Sequence, residues 1–176
     1  MQRKAIAVPI AEFAVVMAVL LVVGLALPIR HITLNQFLVG PIVNCALIYA
    51  AVRFKNIFAA GAIIFTPSVC AMTLGFVGVS GLFAMYMIPF IWAGNMALVL
   101  GFRYLYAQRR HTTINYATTA TLAIAAKVLV IFAGFQILHA AVHMPAMLVM
   151  TFGIYQVVTA TIGAAMAYVL LKFIRV

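Results

Sequence analysis

Six apolar runs dominate the chain, over roughly residues 5–27, 37–52, 57–77, 86–106, 116–138 and 147–171. A helix that crosses the hydrocarbon core of a bilayer needs about 20 mostly apolar residues. Most of the runs reach that length, and the second does so once its flanks join it. A soluble helical bundle needs charged outer faces, and none of these runs has one. Only 7% of the residues are charged and 68% are hydrophobic, against about 25% and 45–50% in a soluble domain. The expected fold is all-α: one polytopic membrane domain over residues 1–176 with six transmembrane helices. The start also has the look of a signal peptide, with Arg3 and Lys4 ahead of an apolar stretch. That stretch is long, Glu12 interrupts it and no small-x-small cleavage site stands out, so it reads as a retained helix.

The net charge of +10 raises nucleic acid as a partner. The basic residues, however, fall in short clusters between apolar runs, a topology signal rather than a basic groove. Arg3 and Lys4 precede the first run, Arg53 and Lys55 follow the second, Arg103, Arg109 and Arg110 end the fourth, and Lys172 and Arg175 end the sixth. The remaining loops carry one fixed positive charge, Arg30. The positive-inside rule then places both termini in the cytoplasm. Cys45 and Cys70 lie inside apolar runs and have neither disulfide nor zinc spacing. The even-numbered runs share an ending, Asn44-Cys45-Ala46-Leu47 then Arg53-Phe54, Asn95-Met96-Ala97-Leu98 then Arg103-Tyr104, and Ala165-Met166-Ala167-Tyr168 then Lys172-Phe173. This suggests a loose repeat of three hairpins, or only the usual composition of inward-going helix ends.

Polar residues in such a chain are the candidates for function. Asn44 and Asn95 sit near prolines, Pro41 and Pro89, at similar outer depths of the second and fourth helices. A proline frees a backbone carbonyl one turn back, and membranes tolerate this where neighbours or a cavity satisfy it. The two amides either line a pocket that opens outward or join helices, a contact worth about 0.6 kcal/mol on average. Gln36 and Arg30 lie at the outer end of the second helix; Tyr86 and Trp92, with Phe90, can stack on a planar ligand or simply mark the interface. The segment Gly75–Phe83 reads as an apolar lid or a turn. Glu12 and Lys127 are the opposite charges inside the spans and suggest a structural ion pair, with proton or ion coupling as the sharper alternative. His31, His139 and His143 fall in or beside outward loops; His139 and His143 have a spacing that allows metal binding, but no carboxylate accompanies them. Solvated histidines suit that setting better, and no metal or other cofactor is expected. Ala7, Ala11, Ala14 and Ala18 form a smooth face on the first helix. It can meet Gly163 or Ala164 of the sixth helix, or a separate membrane partner. There is no acidic pair, GxSxG, phosphate loop or HExxH, so the chain does not read as an enzyme.

With these features the chain resembles the substrate-binding S component of energy-coupling factor (ECF) transporters. The resemblance rests on six helices in a short chain, cytoplasmic ends, Ala7-xxx-Ala11 with Ala14-xxx-Ala18, and polar and aromatic groups facing outward. Phe37-Leu38-Val39-Gly40-Pro41-Ile42-Val43-Asn44 and Ile88-Pro89-Phe90-Ile91-Trp92-Ala93-Gly94-Asn95 look like a subgroup of uncertain substrate. It implies a place in the plasma membrane of a prokaryote and capture of a vitamin-like or micronutrient solute on its outer side. It also implies docking, through the alanine face, on a transmembrane coupling protein that carries a pair of ATPase subunits. The glycine-rich biotin-type signature, the tryptophan-rich thiamine type and the Met-His start of the nickel and cobalt type are all missing. Arg30, with no acid outside, favours an anionic or neutral planar solute over a cation. Two rival readings remain: a structural or assembly subunit without a ligand, and a stand-alone ion-coupled carrier.

Overall fold

The computed structural model describes residues 2–26, 32–54, 56–73, 79–108 and 112–174. Side chains are left out for 2–9, 25–26, 32–35, 57–58, 71–73, 79–84 and 147. Helix α1 spans Gln2–Ala26, α2 Ile32–Arg53, α3 Ile57–Thr73 and α4 Val79–Gly101. A π-helical turn, Phe102–Tyr106, continues α4; α5 spans Thr113–Val142. A 3-10 turn, Ala146–Leu148, leads into α6, Val149–Phe152, and α7, Ile154–Phe173. Among the described residues the protein is all-helical.

Four stretches are long and apolar enough to cross a membrane: Gln36–Arg53, Met85–Tyr106, Thr113–Val142 and Val149–Phe173. Shorter apolar stretches lie in α1 and α3, Ile10–Gly24 and Ala59–Cys70. The helices show a hydrophobicity that is nearly even around the axis, as expected where lipid replaces water on the outer face. Large apolar side chains such as Ile114, Leu122 and Leu129 accordingly point outward.

Helix α2 begins five residues before its expected run and α3 ends four residues short of its own; two further differences change the reading. Helix α4 begins at Val79, so the back half of the expected lid, 79–83, is helical; residues 74–78 lie outside the described residues. The sixth run is not one continuous helix: it breaks at Gly153, whose backbone (φ −110°, ψ −96°) leaves the helical region. A side chain there would press on the Val149 carbonyl at 2.7 Å, so glycine permits the break.

Helices α2 and α7 pack together along their length, as do α4 and α5. Small residues explain the close approach. A methyl group on Gly40 would lie 2.9 Å from Thr159 Cβ, and one on Gly101 2.7 Å from Ala123 Cβ. Helix α1 rests mainly on α3.

The buried residues form two clusters. The larger holds Leu47, Ile48, Leu98, Phe102, Ile124 and Ala164, among others, and the smaller holds Met87, Ile131, Phe135, Met144 and Phe152. Along α5 the change from one to the other falls between Ile124 and Ile131, and along α4 between Met87 and Leu98. Near the π-helical turn, Tyr116 meets Phe102, Tyr106 and Tyr168 with ring centroids 5.3, 5.1 and 5.0 Å away. Its hydroxyl donates to the Ala164 carbonyl at 2.7 Å, joining α5 to α7.

Candidate functional site

A layer of polar side chains lies where the two apolar clusters meet. Asn44 of α2 is 2% exposed, Asn95 of α4 4% and Lys127 of α5 3%. The Lys127 ammonium donates to Asn44 Oδ1 at 2.5 Å. Asn44 Nδ2 donates in turn to the Gly40 carbonyl at 2.9 Å, one turn back on its own helix. That second bond fixes the amide so that its oxygen faces Lys127.

Two close approaches position this layer. A methyl group on Gly163 of α7 would lie 2.5 Å from Asn44 Cβ and 2.7 Å from the Pro41 carbonyl oxygen. One on Gly94 of α4 would lie 3.0 Å from the Lys127 carbonyl oxygen and 2.7 Å from Ile131 Cγ1. Helices α2, α4, α5 and α7 thus meet at one level, and Asn95, next to Gly94, stands at the level of Lys127. Pro41 lies inside α2 and offers no backbone donor to its hydrogen-bond ladder.

Part of the layer's hydrogen-bonding capacity is unused. Among the described residues, the buried Asn95 Oδ1 and Trp92 Nε1 have no partner. Trp92 and Asn95 are three residues apart, on the same face of α4. The Trp92 ring receives Phe65 of α3 edge-on, with centroids 4.7 Å apart.

The expected pairing of Glu12 with Lys127 is not what forms. Glu12 pairs with Arg53 instead, accepting from Nη2 at 2.5 Å and from Nε at 3.2 Å. The planar guanidinium fork fits a carboxylate through two donors, which an ammonium cannot do. Arg53 ends α2 beside α1, whereas Lys127 lies half-way along α5, against α2 and α4. Both members of the Glu12–Arg53 pair are partly exposed, so its contribution is small. Glu12→Gln is expected to cost about 1 kcal/mol or less in denaturant unfolding; a loss of several kcal/mol would mark it as a buried pair.

The other candidates are dispersed. Gln36 lies eight residues before Asn44, about 12 Å along α2. Its Nε2 donates to the Thr151 carbonyl at 2.8 Å, tying α2 to α6, and its buried Oε1 has no partner among the described residues. Tyr86, nine residues before Asn95, is exposed. Arg30 and His31 lie outside the described residues. His139 and His143 do not share a helical face: α5 ends at Val142, and His143 caps it in the left-handed region at φ 52°. His139 Nδ1 is bonded to the Met144 carbonyl, and its ring stacks on Phe135.

On α1, Ala11, Ala14 and Ala18 are exposed, and Ala7 lies among the residues whose side chains are left out. Among the described residues, Ala11, Ala14 and Ala18 do not pack on Gly163 or Ala164: Gly163 presses on α2, and the Ala164 carbonyl takes the Tyr116 hydroxyl. Instead Ala11 borders an open apolar groove of about 580 Å³ between α1, α2 and α7, with Val15, Ile42, Met166 and Leu170 among its walls and Glu12 and Tyr49 at its polar edge.

No protein-family model, curated protein or solved structure matches the chain.

Proposed function

We propose that the chain is the solute-binding membrane subunit of an ECF-type importer. In this reading six helices cross the plasma membrane with both termini in the cytoplasm. A vitamin-like or micronutrient molecule is captured from the outer side. A transmembrane coupling protein and two ATPase subunits drive its release inside. The observation that carries the reading is the buried polar layer of Lys127, Asn44, Asn95 and the Trp92 indole nitrogen on three helices of an otherwise apolar bundle. Polar groups inside a membrane domain are costly and mark binding or transport sites. The exposed alanines of α1 support a docking face for the coupling protein.

One observation favours a second reading. The Asn44 amide is occupied at both ends, by Gly40 and by Lys127, as a structural tie in an assembly subunit would be. A thermal-shift screen of the purified chain with vitamins, heterocycles and metal ions separates the two. The importer reading predicts stabilisation by one chemically related group of compounds, about 2.7 kcal/mol at a hundredfold excess over Kd. A broad panel without a hit supports the assembly subunit.

A further inference from the structure

The whole chain has one acidic residue, Glu12, and Arg53 holds it through two hydrogen bonds. Lys127 therefore sits deep in the bundle with no side-chain carboxylate left in the chain to pair with it. Its partner there is a neutral amide oxygen. An ammonium has three donors, and Asn44 accepts from one. A buried cation without an anion is costly unless something else neutralises it.

We propose that Lys127 is the anchor for a carboxylate group of the solute, which makes the solute a small carboxylic acid. This rests on the solute-binding reading above and adds the chemical class to it. One ammonium and one carboxylate cancel, leaving the layer neutral. A phosphate dianion would leave an excess charge in the apolar bundle and lacks the several donors it needs. Asn44, fixed by Gly40, holds the ammonium in place. Asn95 Oδ1 and Trp92 Nε1, buried and unpartnered among the described residues, leave an acceptor and a donor on one face of α4 for the polar groups of the solute's remainder.

The test uses the purified full chain and matched probe pairs: benzoate with benzamide, nicotinate with nicotinamide, and indole-3-acetate with indole-3-acetamide. Thermal unfolding is followed for the wild type, for Lys127→Met and for Lys127→Gln. Methionine keeps the length of the chain without the charge; glutamine keeps a donor for Asn44, so that one variant stays foldable if the other does not. At least one acid is expected to bind the wild type about tenfold or more tightly than its amide, a difference of about 1.4 kcal/mol. Both variants are expected to lose that preference. If acid and amide stabilise equally, or if the variants keep the preference, the carboxylate anchor is overturned while solute binding stands. A wild type that responds to no acid overturns it too. That is the result expected if another subunit supplies the counter-charge, and solute binding is then judged by its own broader screen.

Discussion

Replacing Asn44 by leucine is expected to destabilise the protein by about 3 kcal/mol, far more than the roughly 0.6 kcal/mol of an average interhelical hydrogen bond in a membrane. The two side chains have nearly the same shape, so packing under Gly163 is kept. What is lost is the acceptor of the Lys127 ammonium, 2.5 Å away, and a buried charge is left unpaired. Lys127→Met removes the charge and leaves only a neutral amide oxygen without its partner, at about 1 kcal/mol. The double variant should therefore be no worse than Lys127→Met alone, with a coupling energy of about 3 kcal/mol. Denaturant unfolding of the four proteins in the same mixed micelles gives the cycle. Additive effects would show that Asn44 does not hold the charge.

Gly163→Leu should cost more than about 3 kcal/mol. The atoms that a side chain there would meet are Asn44 Cβ at 2.5 Å, the Pro41 carbonyl oxygen at 2.7 Å and the Cys45 amide nitrogen at 3.0 Å. None sits at the end of a flexible side chain, so α2 and α7 must separate and open the polar layer. Gly61 in α3 is the control, because nothing lies within 4 Å of a methyl group there. Gly61→Ala should be neutral or slightly stabilising, since alanine is the better helix former by up to about 1 kcal/mol. Equal unfolding midpoints for Gly163→Leu and Gly61→Ala would show that α2 and α7 are not in close contact.

The helices were legible in the sequence because their signal is local. Runs of apolar residues with basic ends predict α1 to α5 to within a few residues, apart from the earlier starts of α2 and α4. The break at Gly153 was not legible, since the residues on both sides are as apolar as the rest of the run. Asn44 could be singled out because an amide in an apolar helix demands a partner. Which partner it takes depends on how helices far apart in sequence pack. Opposite charge pointed Lys127 to Glu12, but arginine's fork and the position of Arg53 at the end of α2 decide that contest. One signal does lie in the sequence: with a single acid and eleven basic residues, a lysine inside an apolar run has to find a neutral acceptor or an external anion. The pairing of α2 with α7 and of α4 with α5 rests on glycines at single contact points, which no periodic pattern announces.

The central claim is that the polar layer binds a solute. Native mass spectrometry of the protein released from its own membrane tests this directly. One small carboxylic acid is expected, bound in equal proportion to the wild-type chain and missing from Lys127→Met. A wild-type chain that carries only lipid, with the same mass profile as Lys127→Met, would contradict it.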